Sequence, residues 1–156
     1  MISILRLSLA GVFLIGLAAC GKTDHGHAPA GGHEHTAPHG GMLVEIGEHA
    51  YTLELVREAA AGRLTAWALD GHAENFVRLK AASLELVATV GADKRPLPLL
   101  AVANSATGET VGDTSQFEAQ ADWLKTAASF EAVVTGMEIR GTKFETIAFR
   151  LSPAAK

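Results

Sequence analysis

From Met42 onward, apolar and polar positions alternate along the chain. Met42, Val44 and Ile46 are apolar at every second position, with Leu43 and Glu45 between them. After Gly47-Glu48, Tyr51, Leu53 and Leu55 repeat the rhythm against Thr52, Glu54 and Val56. A period of two sends alternate side chains to opposite faces of a strand, so these runs predict a hairpin with a tight turn at Gly47-Glu48. Ala59 to Gly62 reads as a loop. Arg63 to Leu69 reads as a third strand closed by Asp70-Gly71, a strong turn pair. Residues 76–80 predict a short edge strand, and Leu84, Leu86, Ala88 and Val90 a longer one ending at Gly91-Ala92-Asp93. Pro96 and Pro98 bracket the entry to a strand over Leu99–Ala103 and favour an edge position for it. Residues 104–114 are polar and rich in Gly, hence a loop. Ser115–Gln120 is a short strand around Phe117. Asp122 to Thr126 is the one plausible helical turn, with Asp122 or its predecessor near the cap. Residues 129–139 and 143–151 form a terminal hairpin about Arg140-Gly141, and Pro153 ends it.

Seven or eight short strands, recurring every ~8–15 residues without a long helical pattern, point to an all-β fold. The expectation is an antiparallel β-sandwich, immunoglobulin-like, over residues 42–152; a β-barrel is the alternative. About 115 residues from Met42 on make one domain of ordinary size. Trp67, Phe117, Trp123, Phe130, Phe144 and Phe149 read as core or core-edge aromatics.

Before Met42 the pattern stops. Residues 1–19 carry one positive charge, Arg6, then a short apolar run and small residues. This is signal-peptide grammar, too short and wrongly flanked for a spanning helix. Leu17-Ala18-Ala19-Cys20 resembles the bacterial lipobox. That resemblance implies cleavage before Cys20 and lipid on Cys20, hence anchorage on the periplasmic side of the cell envelope. Gly21 follows, where an Asp would resemble an inner-membrane retention signal, so the expected address is the outer membrane. Cys20 is the only cysteine, so the domain has neither a disulfide nor a thiolate ligand.

Residues 20–41 are Gly, Ala, Pro, His and Thr with almost no large apolar side chain, and such a segment reads as a flexible tether. Five of the chain's seven histidines fall between positions 25 and 39: His25, His27, His33, His35 and His39. Imidazole is the commonest protein metal ligand and is largely neutral near pH 7. The pairs His25-x-His27 and His33-x-His35 can reach a common ion on an extended or turning backbone. Zinc, copper(II), nickel and cobalt accept imidazole. A methionine cage for copper(I) is not available, because only Met42 and Met137 remain beyond the signal peptide. His49 follows the Gly47-Glu48 turn, and pairing of the first two strands would bring His39 and His49 towards one sheet edge as a more rigid site. The competing reading is two unrelated histidines at strand ends. His72, behind Asp70-Gly71, reads as an exposed turn residue.

The segment Ala37-Pro38-His39-Gly40-Gly41-Met42-Leu43-Val44-Glu45-Ile46-Gly47, followed by Tyr51 to Val56, resembles a group of small bacterial exported proteins and lipoproteins with a Pro-His-Gly-Gly start. A similar start precedes some periplasmic adaptor (membrane fusion) subunits of heavy-metal efflux pumps. Arg63 to Asp70, Ser115-Gln116-Phe117 and Ile139 to Phe144 extend the likeness over roughly residues 36 to 151. What the resemblance implies is a periplasmic β-sandwich in a metal-handling setting, with His39 alone falling on the motif.

The formal charge is −4, with no basic stripe, which argues against nucleic acid as a partner. No phosphate loop, nucleophile elbow or His-Glu-x-x-His helix occurs, and His33-Glu34-His35 has the wrong spacing for the last. The expected function is non-enzymatic: a lipid-anchored protein binding a divalent transition metal through its histidines, accessory to metal efflux or homeostasis. The alternative is an interaction module that docks on an envelope protein, with the tether as a spacer.

Overall fold

The computed structural model describes residues 35–152. The expected signal peptide over 1–19, Cys20, His25, His27 and His33 lie outside the described residues. Among the described residues, no helix is long and apolar enough to cross a membrane.

The alternating runs form strands as expected. The first hairpin is β1 (Met42–Ile46) and β2 (Tyr51–Glu58), in a register that sets Met42 opposite Leu55 and Ile46 opposite Tyr51. Next come β3 (Arg63–Asp70), β4 (Ser83–Val90), β5 (Asp93–Pro96), β6 (Leu99–Ala101) and β7 (Gln116–Gln120). A single helical turn, α1 (Trp123–Thr126), precedes the long hairpin of β8 (Phe130–Ile139) and β9 (Thr142–Leu151). Asp122 takes the cap position but makes no side-chain cap bond; its carboxylate accepts from Lys125 Nζ at 2.8 Å instead. Residues 76–80 do not form a strand. They contribute only the isolated bridges Leu69–Phe76 and Leu79–Thr114. The edge strand that does form is β5, beyond the Gly91 turn, and its Pro96 closes it.

All pairings are antiparallel, and the class is all-β. The strands follow one path, β1-β2-β3-β7-β6-β4-β8-β9, with β5 on the side of β4. β4 joins the two halves: Ser83 and Leu84 pair with β6, while Glu85–Thr89 pair with β8. The sheet is therefore continuous and nearly closed, lying between the two-sheet sandwich and the barrel. Its ends, β1 and β9, meet where Gly47 abuts the ring of Phe144. They diverge at the other end, leaving an open cleft lined by Met42, Leu55, Arg57, Arg150 and Leu151.

One core fills the interior. Leu53, Leu55, Leu64, Ala66 and Phe117 from one half meet Leu84, Leu86, Phe130, Val134, Ile139 and Leu151 from the other, all buried. Burial of this kind stabilises by roughly 25 cal/mol per Å² of apolar surface, which is what holds a chain without disulfides. The period-two logic predicts that Thr52 and Glu54, on the opposite face of β2, see solvent. They do not: Thr52 and Glu54 are buried, and Leu69 and Ala73 are buried outside the main core. The outer face of β2 and β3 carries a cover.

Candidate functional site at the tether junction

The cover is the Pro-His-Gly-Gly segment itself. Ala37-Pro38-His39-Gly40 is a β-turn closed by Gly40 N–H donating to the Ala37 carbonyl at 3.0 Å. Pro38 stands at the second position, where its fixed φ is favourable. His39 keeps a negative φ and Gly40 takes +70°, so the chain reverses into Gly41 and then β1. Gly41 lies so close to β2 that a Cβ would sit 2.6 Å from the Leu55 carbonyl oxygen. The two glycines are thus required for different reasons, one for conformation and one for approach. The domain accordingly begins before Met42. Residues 35–41 pack on it, so the boundary at 41/42 read from composition moves upstream. Composition missed this because the segment contributes backbone donors and one ring, not apolar bulk.

What it packs on is Glu54. This carboxylate is fully buried in the middle of β2. Its Oε1 accepts the His39 N–H at 2.7 Å and the Gly41 N–H at 3.0 Å, and its Oε2 lies 2.8 Å from His39 Nδ1. A carboxylate accepts only, so the network assigns the proton to Nδ1 and leaves Nε2 pointing away from Glu54. The imidazole lies flat on the Trp67 indole, with ring centroids 3.8 Å apart and planes 13° apart. Trp67 is the partner of Glu54 in the β2–β3 register, so ring and carboxylate come from adjacent positions on one face. Phe76, half-exposed, adds a tilted ring whose centroid is 5.8 Å from that of His39. Trp67 is therefore not a core aromatic but the floor of this clasp.

The expected partnership of His39 with His49 is not formed. His49 stands in the 47–50 turn, at the far end of β1, with φ +68° between Glu48 at +51° and Tyr51. Its Nδ1 is 3.1 Å from Glu45 Oε1 on an exposed edge. β1 separates the two histidines along its whole length. Among the described residues, no group of three or more His, Cys, Asp or Glu side chains is disposed to hold a metal ion.

His35 is half-buried beside the clasp and meets His72 edge-on, with ring centroids 5.5 Å apart and planes at 66°. His72 is exposed, as its turn position implies, but it is not isolated. Its loop is organised by Asp70, whose carboxylate accepts the Glu74 N–H at 2.9 Å and Asn75 Nδ2 at 2.7 Å. The Asn75 amide in particular, with the Glu74, Asn75 and His72 backbone groups, holds Asp70 below the usual carboxylate range against the opposing effect of its partial burial. No signal in the sequence links His35 to His72; only the folding of residues 35–41 over β2 and β3 does so.

No family model, curated protein or solved structure matches the chain.

A second buried carboxylate, Glu109, organises the 104–114 loop. It accepts from Ser115 N–H at 2.8 Å, Ser115 Oγ at 2.6 Å and Thr107 Oγ1 at 2.6 Å. Burial pushes its pKa up, but the Ser115 and Thr107 bonds with the nearby Arg78 charge outweigh that and hold it below the ordinary value. It serves the loop and lies outside the junction.

Proposed function

We propose that this chain is a lipid-anchored periplasmic protein that binds a divalent transition ion through its His-rich segment. Zinc, copper(II), nickel and cobalt are the ions whose preferences imidazole meets. The observation that carries the reading is the placement of five of seven histidines between residues 25 and 39, directly behind Cys20. Lipid on Cys20 fixes that run at a membrane surface, the expected face being the outer membrane. The ion is captured and released by coordination, with no covalent chemistry. A role beside a metal-efflux or other envelope protein follows from such a position.

The roles of the histidines divide. His25, His27, His33 and His35 are the ligands in this reading. His39 holds the segment to the sheet through Glu54, and only its Nε2 is left for an ion. A carboxylate on the far nitrogen is the usual support of a metal-bound imidazole, so the clasp suits that use. His49 stands apart with Glu45 and is withdrawn from the shared site.

Binding to imidazole requires its unprotonated form, so protons compete with metal as pH falls. The experiment is a calorimetric zinc titration of the full chain at about pH 7.5 and about pH 5.5, either side of the ~6.5 at which free imidazole titrates. Heat of binding at the higher pH that fades at the lower supports the reading. No binding at the higher pH overturns it. One observation favours a second reading, an interaction module with a spacer: the histidine best held by the fold, His39, has its ring committed to Glu54 and Trp67. That reading takes the lead if zinc, copper(II), nickel and cobalt all fail to bind.

A further inference from the structure

We infer that His35 and His72 form a two-imidazole site for zinc or copper(II), which pins the end of the His-rich run to the loop after β3. The choice of ligand class rests on the metal-binding reading above; the geometry is independent of it. Two imidazoles bound to one ion through ring nitrogens at about 2.0–2.1 Å, at a tetrahedral angle, place their ring centroids roughly 5 Å apart. The observed separation is 5.5 Å. The planes stand at 66°, so the rings are not stacked face to face, an arrangement that would keep their nitrogens from converging. The outer torsion of His is soft, so either ring turns to present a nitrogen at little cost.

Both rings are carried on backbone that is already held. On one side, the Ala37–Gly40 turn and the Glu54 clasp fix the chain only two to four residues after His35. On the other, the loop bearing His72 is tied at both ends. The Asp70 N–H donates to the Asn75 carbonyl at 2.9 Å, the Ala73 N–H to the Asp70 carbonyl at 3.1 Å, and the Val77 N–H to the Ala68 carbonyl at 2.9 Å. Ala73 is buried with a φ of +57°, a conformation that only a well-determined loop imposes on alanine. Asp70 and Asn75 complete the loop with their side chains. The ordering of the site thus precedes the ion, which lowers the conformational entropy that binding must overcome. Two protein ligands leave the remaining coordination positions to water, so the site is one of exchange rather than of permanent structure.

The test separates this site from the rest of the run. The full chain carrying His25→Ala, His27→Ala and His33→Ala is titrated with zinc chloride, beside the unaltered chain. One ion per chain is expected on the triple variant. Adding His72→Phe keeps an aromatic ring against His35 and removes the nitrogen, so folding is spared while affinity falls at least roughly tenfold, the lower end of what lost ligand support alone costs. His35→Phe does the same from the other side. Unchanged affinity in both Phe variants overturns the inference and reduces the pair to an aromatic contact. If the triple variant binds nothing while the unaltered chain binds, this inference falls and the His-rich-run reading stands. If the unaltered chain binds nothing, both fall.

Discussion

Glu54 is the residue on which the junction depends. A buried carboxylate is costly unless its oxygens are satisfied, and here three donors from a five-residue segment satisfy them. Glu54→Ala leaves the His39 and Gly41 N–H groups without their acceptor and opens a void beside Trp67. The expected loss is about 2–3 kcal/mol of unfolding free energy by urea titration. Glu54→Gln should cost less than half as much. Its carbonyl still accepts the two backbone N–H groups, and a change of tautomer lets His39 Nδ1 accept from the amide. A loss within about 0.5 kcal/mol for the Ala variant would mean that the segment is held by something other than this carboxylate. Glu54 was not legible in the sequence, because it occupies the polar phase of an alternating strand, where a solvated Glu is the ordinary outcome. Its one signal is the run of Thr52, Glu54, Trp67 and Leu69 on a single outer face, which is too mixed to be bare.

At the scale of elements, the strands are legible in the sequence because alternation is a local signal. β1, β2, β3, β4, β8 and β9 start and stop close to where the rhythm of apolar residues does. The failures are non-local. Residues 76–80 have strand-like alternation but find only the last residues of β3 to pair with, since β7 occupies its edge from Arg63 to Trp67. β5 was hidden because Asp93-Lys94-Arg95 is wholly polar, and its register with β4 comes from the Gly91 turn. The 104–114 loop was legible as a loop, but its order was not, since Glu109 acts through Ser115 and Thr107. Because the folded-state pKa of Glu109 is depressed, its contribution to stability is present above the ordinary carboxylate pKa and is lost as pH falls through the depressed value. The wild type should therefore lose stability more steeply below the ordinary carboxylate range than Glu109→Gln does. Parallel slopes in chemical denaturation across that acid range would show that Glu109 carries no such coupling.

At the scale of the whole molecule, scaffold and chemistry are separate. The continuous sheet is filled by an apolar core with no histidine in it, and five of the seven histidines precede its first strand, with His49 and His72 in turns at its edge. In the proposed function, Cys20 carries the lipid that anchors the chain. Cys20→Ser should release the protein from the membrane fraction or block its processing, and a variant that is processed normally and still sediments with membranes would contradict the anchor. Metal binding is the central claim. The most direct measurement is the number of zinc ions bound per full chain at about pH 7.5, for the unaltered protein and for the variant in which His25, His27, His33 and His35 are all replaced by Ala. The account predicts that the variant loses most of the bound zinc while the sheet stays folded. Equal stoichiometry and equal affinity in the two proteins would contradict it.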